Sequence, residues 1–145
     1  MKINIQLFSK VSDKNLMNLQ NYYLKLISRY TKIEVKIRKT RKDKKINYND
    51  IKKYFGKGMN IVLTEHGKLY KTKTFSKYLK DLKLIETNLN FFIGNAFGFT
   101  KEVENKADLQ LSLSPLTFSH ELAHIVLLEQ LFRCLNLAAG GKYHK

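Results

Sequence analysis

The chain of 145 residues contains one cysteine, one proline and no tryptophan. A lone cysteine, Cys134, cannot close an intramolecular disulfide, which excludes a small secreted scaffold held by cross-links. With Pro115 as the only proline there is no proline-rich linker, and neither repeats nor low-complexity tracts interrupt the chain. No run approaches the 18 or so apolar residues of a transmembrane helix. The opening residues 1–7 alternate apolar and polar side chains, unlike a signal-peptide core, so a cytoplasmic protein is expected. Acidic residues are also scarce: 12 Asp and Glu face 27 Lys and Arg, a net charge of +15. A domain this basic is suited to a polyanion, because neutralising phosphates releases counterions. What is abundant is apolar, 43% of residues against 27% charged, which predicts a packed core and one domain over 1–145.

The spacing of apolar residues predicts alternating strands and helices. Ile3, Ile5 and Leu7 alternate as a strand, Ser12 or Asp13 can cap a helix, and Leu16, Leu19, Tyr23, Leu26, Ile27 and Tyr30 recur at helical spacing. Ile33, Val35 and Ile37 mark a second strand, followed by a basic loop over 38–47. A short helix starts at Asn49 or Asp50 and stops at Gly56. Ile61, Val62 and Leu63 read as a strand covered on both faces. A loop over 66–73 leads to a helix capped by Thr74 and faced by Phe75, Tyr78, Leu79, Leu82 and Ile85. Strands at 89–93 and 109–113 flank a short helix from about Thr100, and a helix over 120–138 ends at Gly140 and Gly141. The order βαβαβαβαβα predicts a doubly wound α/β fold with a parallel sheet between helices.

In such folds ligands lie beyond the carboxyl ends of the strands. Three ends stand out: 63–67, the turn Gly94-Asn95-Ala96-Phe97-Gly98, and 113–118. The spacing Gly94-x-x-x-Gly98 is not a dinucleotide fingerprint, and a tight turn that needs glycines explains it equally well.

Several segments together carry a resemblance. They are the glycine turn, the run Leu111-Ser112-Leu113-Ser114-Pro115-Leu116-Thr117-Phe118-Ser119-His120, the stretch Leu127-Leu128-Glu129-Gln130-Leu131-Phe132-Arg133, and the terminal Tyr143-His144-Lys145. With these the chain resembles the RlmH family over essentially its whole length. The family comprises SPOUT-class methyltransferases that modify N3 of a pseudouridine in large-subunit (23S) ribosomal RNA. The resemblance implies a Rossmann-like domain with a C-terminal trefoil knot, acting as a homodimer on the ribosome with S-adenosylmethionine as cofactor. It implies cofactor contacts at Leu63, Gly94, Leu113, Ser114, Pro115, Leu116, Thr117 and Phe118. His144 is the candidate base or proton relay, Tyr143 a stacking or hydrogen-bonding partner, and Arg133 and Lys145 phosphate or carbonyl contacts. The tail should be mobile by itself, and the last helix, through Leu122, Ile125, Val126 and Leu128, should form the dimer interface. The chain departs from the family at Asn95, where a second glycine is usual, at Ser119 in place of proline, and at His124 in place of arginine.

Other readings stand beside this one. His120-Glu121-Leu122-Ala123-His124 spells HExxH, the zinc motif of a metallopeptidase. It lacks a later carboxylate beyond Glu129 for a third ligand, so no metal is expected. Cys134 can be a nucleophile, but it lies within an apolar helix without a histidine at adjacent helical spacing, as a core residue does. The basic stretches 36–45 and 68–83 can be solvated faces. Beside an rRNA-modifying resemblance, Arg38, Lys39, Arg41 and Lys42 are better read as RNA contacts. A ribosome-binding protein of the same fold without catalysis is the remaining alternative.

Overall fold

A computed structural model describes residues 1–145. The chain runs through β1 (Lys2–Leu7), α1 (Lys14–Ile27), β2 (Lys32–Ile37), α2 (Tyr48–Ile51) with a 3-10 turn at Lys52–Tyr54, and β3 (Met59–Leu69). It continues through α3 (Thr72–Leu84), β4 (Leu89–Ile93), α4 (Lys101–Lys106), β5 (Leu109–Ser112) and α5 (His120–Ala138). The five strands form one sheet in the order β2-β1-β4-β3-β5, and every pairing is parallel. The expected alternation of strands and helices is what the chain adopts.

Alternation along each strand assigns its side chains to two faces. Ile3, Ile5, Ile61 and Phe91 pack with Ile27, Phe75, Leu79, Leu127, Leu128 and Leu131 in a core beneath α1, α3 and α5. The opposite face carries Phe8, Val62 and Phe92, covered by Ile46, Ile51, Phe99 and Val103. Every residue of β4 is buried, as a central parallel strand between two helical layers requires. The second face also holds polar residues that apolar patterning passes over. Asn4 donates to Asn90 Oδ1 (3.0 Å), Asn90 to Asn60 Oδ1 (3.3 Å), and Asn60 to Asp108 (3.1 Å), linking three adjacent strands. Inside a sheet such amides must bond one another, because an unpaired buried amide costs stability.

Three local expectations are corrected. Asn47, not Asn49 or Asp50, caps α2, in a reciprocal capping box with Asp50. The helix expected after a Thr74 cap begins at Thr72, with Lys71 at its N-cap and no side-chain cap. The first half of the expected loop over 66–73 is strand, and its last two residues already belong to α3. β3 pairs Leu63 with Leu111, leaves the ladder over residues 64–67, then rejoins with Lys68 on Leu111 and Leu69 on Ser112. Gly67 makes this return possible: a Cβ there would stand 2.7 Å from the backbone of Gln110 and Leu111. The polar sequence Thr64-Glu65-His66 hides the strand's continuation, because the backbone pairing of Lys68 and Leu69 with β5, not an apolar pattern, brings the chain back into the sheet.

Candidate active site

Beyond the carboxyl ends of β3, β4 and β5 opens a cleft of about 900 Å³, within the range of small-molecule sites. Its walls come from the excursion of β3, the glycine turn after β4, the segment after β5 and the first turn of α5. Of the expected cofactor residues, Leu63, Gly94, Leu113, Ser114, Leu116, Thr117 and Phe118 line it, whereas Pro115 does not. Seven positions from three distant segments thus meet in one place.

The glycine turn is tightly built. A Cβ on Gly94 would lie 3.2 Å from the Gly98 Cα and 3.3 Å from the Phe99 ring, and Gly98 has φ +76°. Both glycines therefore serve the turn's own closure. Asn95 accepts from the Phe97 amide (3.0 Å) through Oδ1. Opposite, Ser114 Oγ accepts from Leu116 N (3.0 Å), and the Thr117 hydroxyl donates to Glu65. Glu65 and His66, which lie in the expected strand end 63–67 but have no expected role of their own, are brought into the wall by the β3 excursion. The backbone amides of Ala96, Thr117 and Phe118 donate to no group of the chain, and they stand beside apolar Leu63, Leu113 and Leu116. Free amides between apolar side chains fit the edge and faces of a purine ring.

The expected catalytic residues do not line this cleft. Arg133 lies 13 residues beyond His120 on α5, roughly 20 Å at 1.5 Å per residue. Its Nε donates to Glu129 Oε1 (2.9 Å), a bond that raises the guanidinium pKa. The tail is docked, not free, which corrects the expectation of mobility. Tyr143 N donates to Asn136 Oδ1 (3.1 Å), and the Tyr143 ring packs on Phe132 (4.7 Å) beneath Arg133 (4.7 Å). Asn136 also donates to the Tyr30 hydroxyl (2.9 Å), so this residue, missed in the sequence, anchors the tail to α1. His144 is half-buried, with Nδ1 enclosed and unpartnered, and Lys145 is exposed.

Nor are the expected RNA contacts equivalent. Arg38 Nε donates to Gln6 (2.7 Å) while its guanidinium covers Tyr54, and Arg41 holds Asp50 through two hydrogen bonds. Lys39 and Lys42 are exposed, and Lys45 reaches the cleft wall.

The HExxH pattern is divided between different jobs. His120 lines the cleft, but Glu121 accepts from the Ser12 amide and hydroxyl (3.0 and 3.1 Å). His124 is fully buried and donates through Nε2 to Gln20 (2.8 Å). Burial pushes its pKa down to about 4. Cys134 is a core residue: burial pushes its thiol up to about 12, and Sγ points at the Thr72 carbonyl (3.6 Å). Of the four expected interface residues, Ile125 and Leu128 are instead buried in the core under α5, and Val126 is half-buried. Leu122 remains exposed, and so do Phe97, Leu116 and Phe118 around the cleft.

A parallel α/β sheet with a cleft formed by a glycine turn and the segment after the last strand places the protein among the open α/β proteins that bind ligands beyond their strand ends. The family described as "Predicted SPOUT methyltransferase" matches residues 1–144, and the chain belongs to it. Among similar proteins, one from Aliarcobacter butzleri is 36% identical with all of both chains covered. One from Malacoplasma penetrans is 32% identical over all of both chains, and one from Thermosipho melanesiensis is 36% identical over 99% of each. All three are named ribosomal RNA large subunit methyltransferase H.

Proposed function

We propose that the protein transfers a methyl group from S-adenosylmethionine to N3 of a pseudouridine in large-subunit ribosomal RNA, in the cytoplasm. The single observation that carries this reading is the cleft formed by residues 63, 94–98, 113–114 and 116–118, in a chain whose full-length relatives are named as rRNA methyltransferases. Family membership also supports a C-terminal trefoil knot, with the whole of 1–145 acting as one domain.

S-adenosylmethionine supplies a methyl group already activated on sulfonium, so the chain has to position the acceptor and take away the N3 proton. Leu63, Leu113 and Leu116 would hold the adenine of the bound cofactor, and the amides of Gly94, Thr117 and Phe118 would donate to it. A uracil ring losing its N3 proton gains negative charge, which cations near a dehydrated site stabilise. His144 accepts the proton, Tyr143 stacks on the base, and Arg133 and Lys145 contact phosphate or carbonyl oxygens. Within one chain these groups lie along α5, away from the cleft. A homodimer resolves the separation, with the tail of one subunit facing the cleft of the other. Exposed Phe97, Leu116, Phe118 and Leu122 beside the cleft are the apolar surface that such pairing would cover.

Mass spectrometry of rRNA from cells lacking the protein tests the reading. Loss of one methyl from one pseudouridine in the large-subunit RNA is expected, restored by the wild-type chain and not by a chain lacking residues 143–145. Unchanged rRNA would refute the enzyme and leave a ribosome-binding protein of the same fold. Light scattering that gives a 17.0 kDa particle at micromolar concentration would refute the dimer.

A further inference from the structure

Asn95 stands where the turn's backbone makes no demand for glycine, since its φ is not positive. Its side chain reaches across to the basic segment instead. Nδ2 donates to the Arg41 carbonyl (2.8 Å) and to the Lys44 carbonyl (3.1 Å), while Oδ1 accepts from Phe97 N in its own turn. Immediately downstream, Ile46 N donates to the Gly98 carbonyl (3.0 Å) and Thr100 N to the Ile46 carbonyl (3.0 Å). Ile46 itself is fully buried beneath this bridge. At its other end the segment is fixed by Arg38, whose amide donates to the Leu7 carbonyl (2.7 Å). Between these two anchors, Asn95 is the side chain of the cleft wall that bonds the segment's backbone.

The chemistry of the segment indicates what it is held for. The Arg41 side chain is committed to Asp50, whereas Lys39, Lys42, Lys44 and Lys45 are exposed, and Lys45 borders the cleft with Lys101. We infer that Asn95 is a positioning residue that clamps the lysine-bearing segment 39–45 to the cofactor-side turn, so that these cations meet the phosphates flanking the target nucleotide. This rests on the rRNA methyltransferase reading. One amide side chain thereby joins the wall of the cofactor cleft and the polyanion-binding edge into a single rigid unit. A flexible lysine loop would lose conformational entropy on every docking event, and the two carbonyl bonds remove that cost in advance.

Asn95→Ser tests the inference, because serine retains a short acceptor for the Phe97 amide but cannot reach either carbonyl. Asn95→Ala serves as the second variant. Backbone hydrogen exchange on the full chain should show faster exchange over 41–46 in Asn95→Ser, with thermal melting near that of wild type. Methylation kinetics on ribosomes should show KM for the ribosome raised about tenfold, with kcat falling by a smaller factor, and a KM less sensitive to salt. Affinity for S-adenosylhomocysteine by calorimetry should fall by a smaller factor than the ribosome KM rises, since the loss is chiefly of preorganisation. Unaltered exchange over 41–46 would show that the clamp holds nothing. Faster exchange with an unchanged ribosome KM would show that the segment does not meet RNA. A fall in cofactor affinity as large as the rise in KM would make Asn95 merely part of the turn. Wild-type protein that methylates no ribosome defeats the functional reading itself, an outcome separate from all of these.

Discussion

Acid should destabilise this protein through a residue that takes no part in the cleft. His124 is fully buried between α5 and α1, with Nε2 bound to Gln20 and Nδ1 unpartnered. Burial lowers its pKa from 6.5 to about 4. The unfolded chain therefore takes up the proton first. Stability from the neutral ring is complete above the unfolded value and is lost as pH falls from about 6.5 towards 4. Near pH 4.5 the loss amounts to about 2–3 kcal/mol, on the scale of 1.36 kcal/mol per pKa unit. For a domain of this size that corresponds to roughly 5–10 °C in Tm. Thermal melting between about pH 7.5 and 4.5 should show the wild type falling more steeply than His124→Gln, whose amide can still bond Gln20 but cannot titrate. Carboxylates such as Glu34, whose pKa is lowered chiefly by its hydrogen bond from Lys2, contribute equally to both proteins and cancel in the difference. Parallel profiles, within about 0.5 kcal/mol, would mean that the ring reaches water or a partner before global unfolding, and the reasoning would fail.

Gly67→Ala should cost about 3 kcal/mol or more, because its Cβ would collide with the β5 backbone at 2.7 Å, and chemical denaturation would read the loss. Tolerance of alanine there would mean that the return of β3 onto β5 is loose. Deleting residues 143–145 should lower stability by about 1–2 kcal/mol through lost packing of Tyr143 on Phe132, while methyl incorporation into ribosomes falls roughly 10²-fold or more. Full transfer by the truncated chain would show that the N3 proton leaves to water. Cys134, buried and with its thiol pushed up to about 12, should resist alkylation in the native protein near pH 8 and react only on denaturation, as mass spectrometry of the adduct would show.

Much of this protein is determined by its sequence alone, because local patterns report local physics. Alternation at Ile3, Ile5 and Leu7 and the helical spacing after Asp13 identify elements whose faces must be buried, and the strand-helix order then implies a parallel sheet. Glycines at the end of β4 and the run from Leu111 to His120 mark the cleft walls before any contact is known. Only the tertiary structure decided where the remaining groups point. Thr64-Glu65-His66 has no apolar signature, and its place in the cleft follows from backbone pairing across forty-odd residues to β5. Arg38 and Arg41 look like free cations in the sequence but are spent on Gln6 and Asp50, and the tail after Gly140 looks loose but is pinned by Asn136. Ile125 and Leu128 share an apolar helix with Leu122, yet only the position of α1 and α3 determines which of them reach water. Side-chain type and spacing state what must be buried or bonded, and partners distant in the chain decide by what.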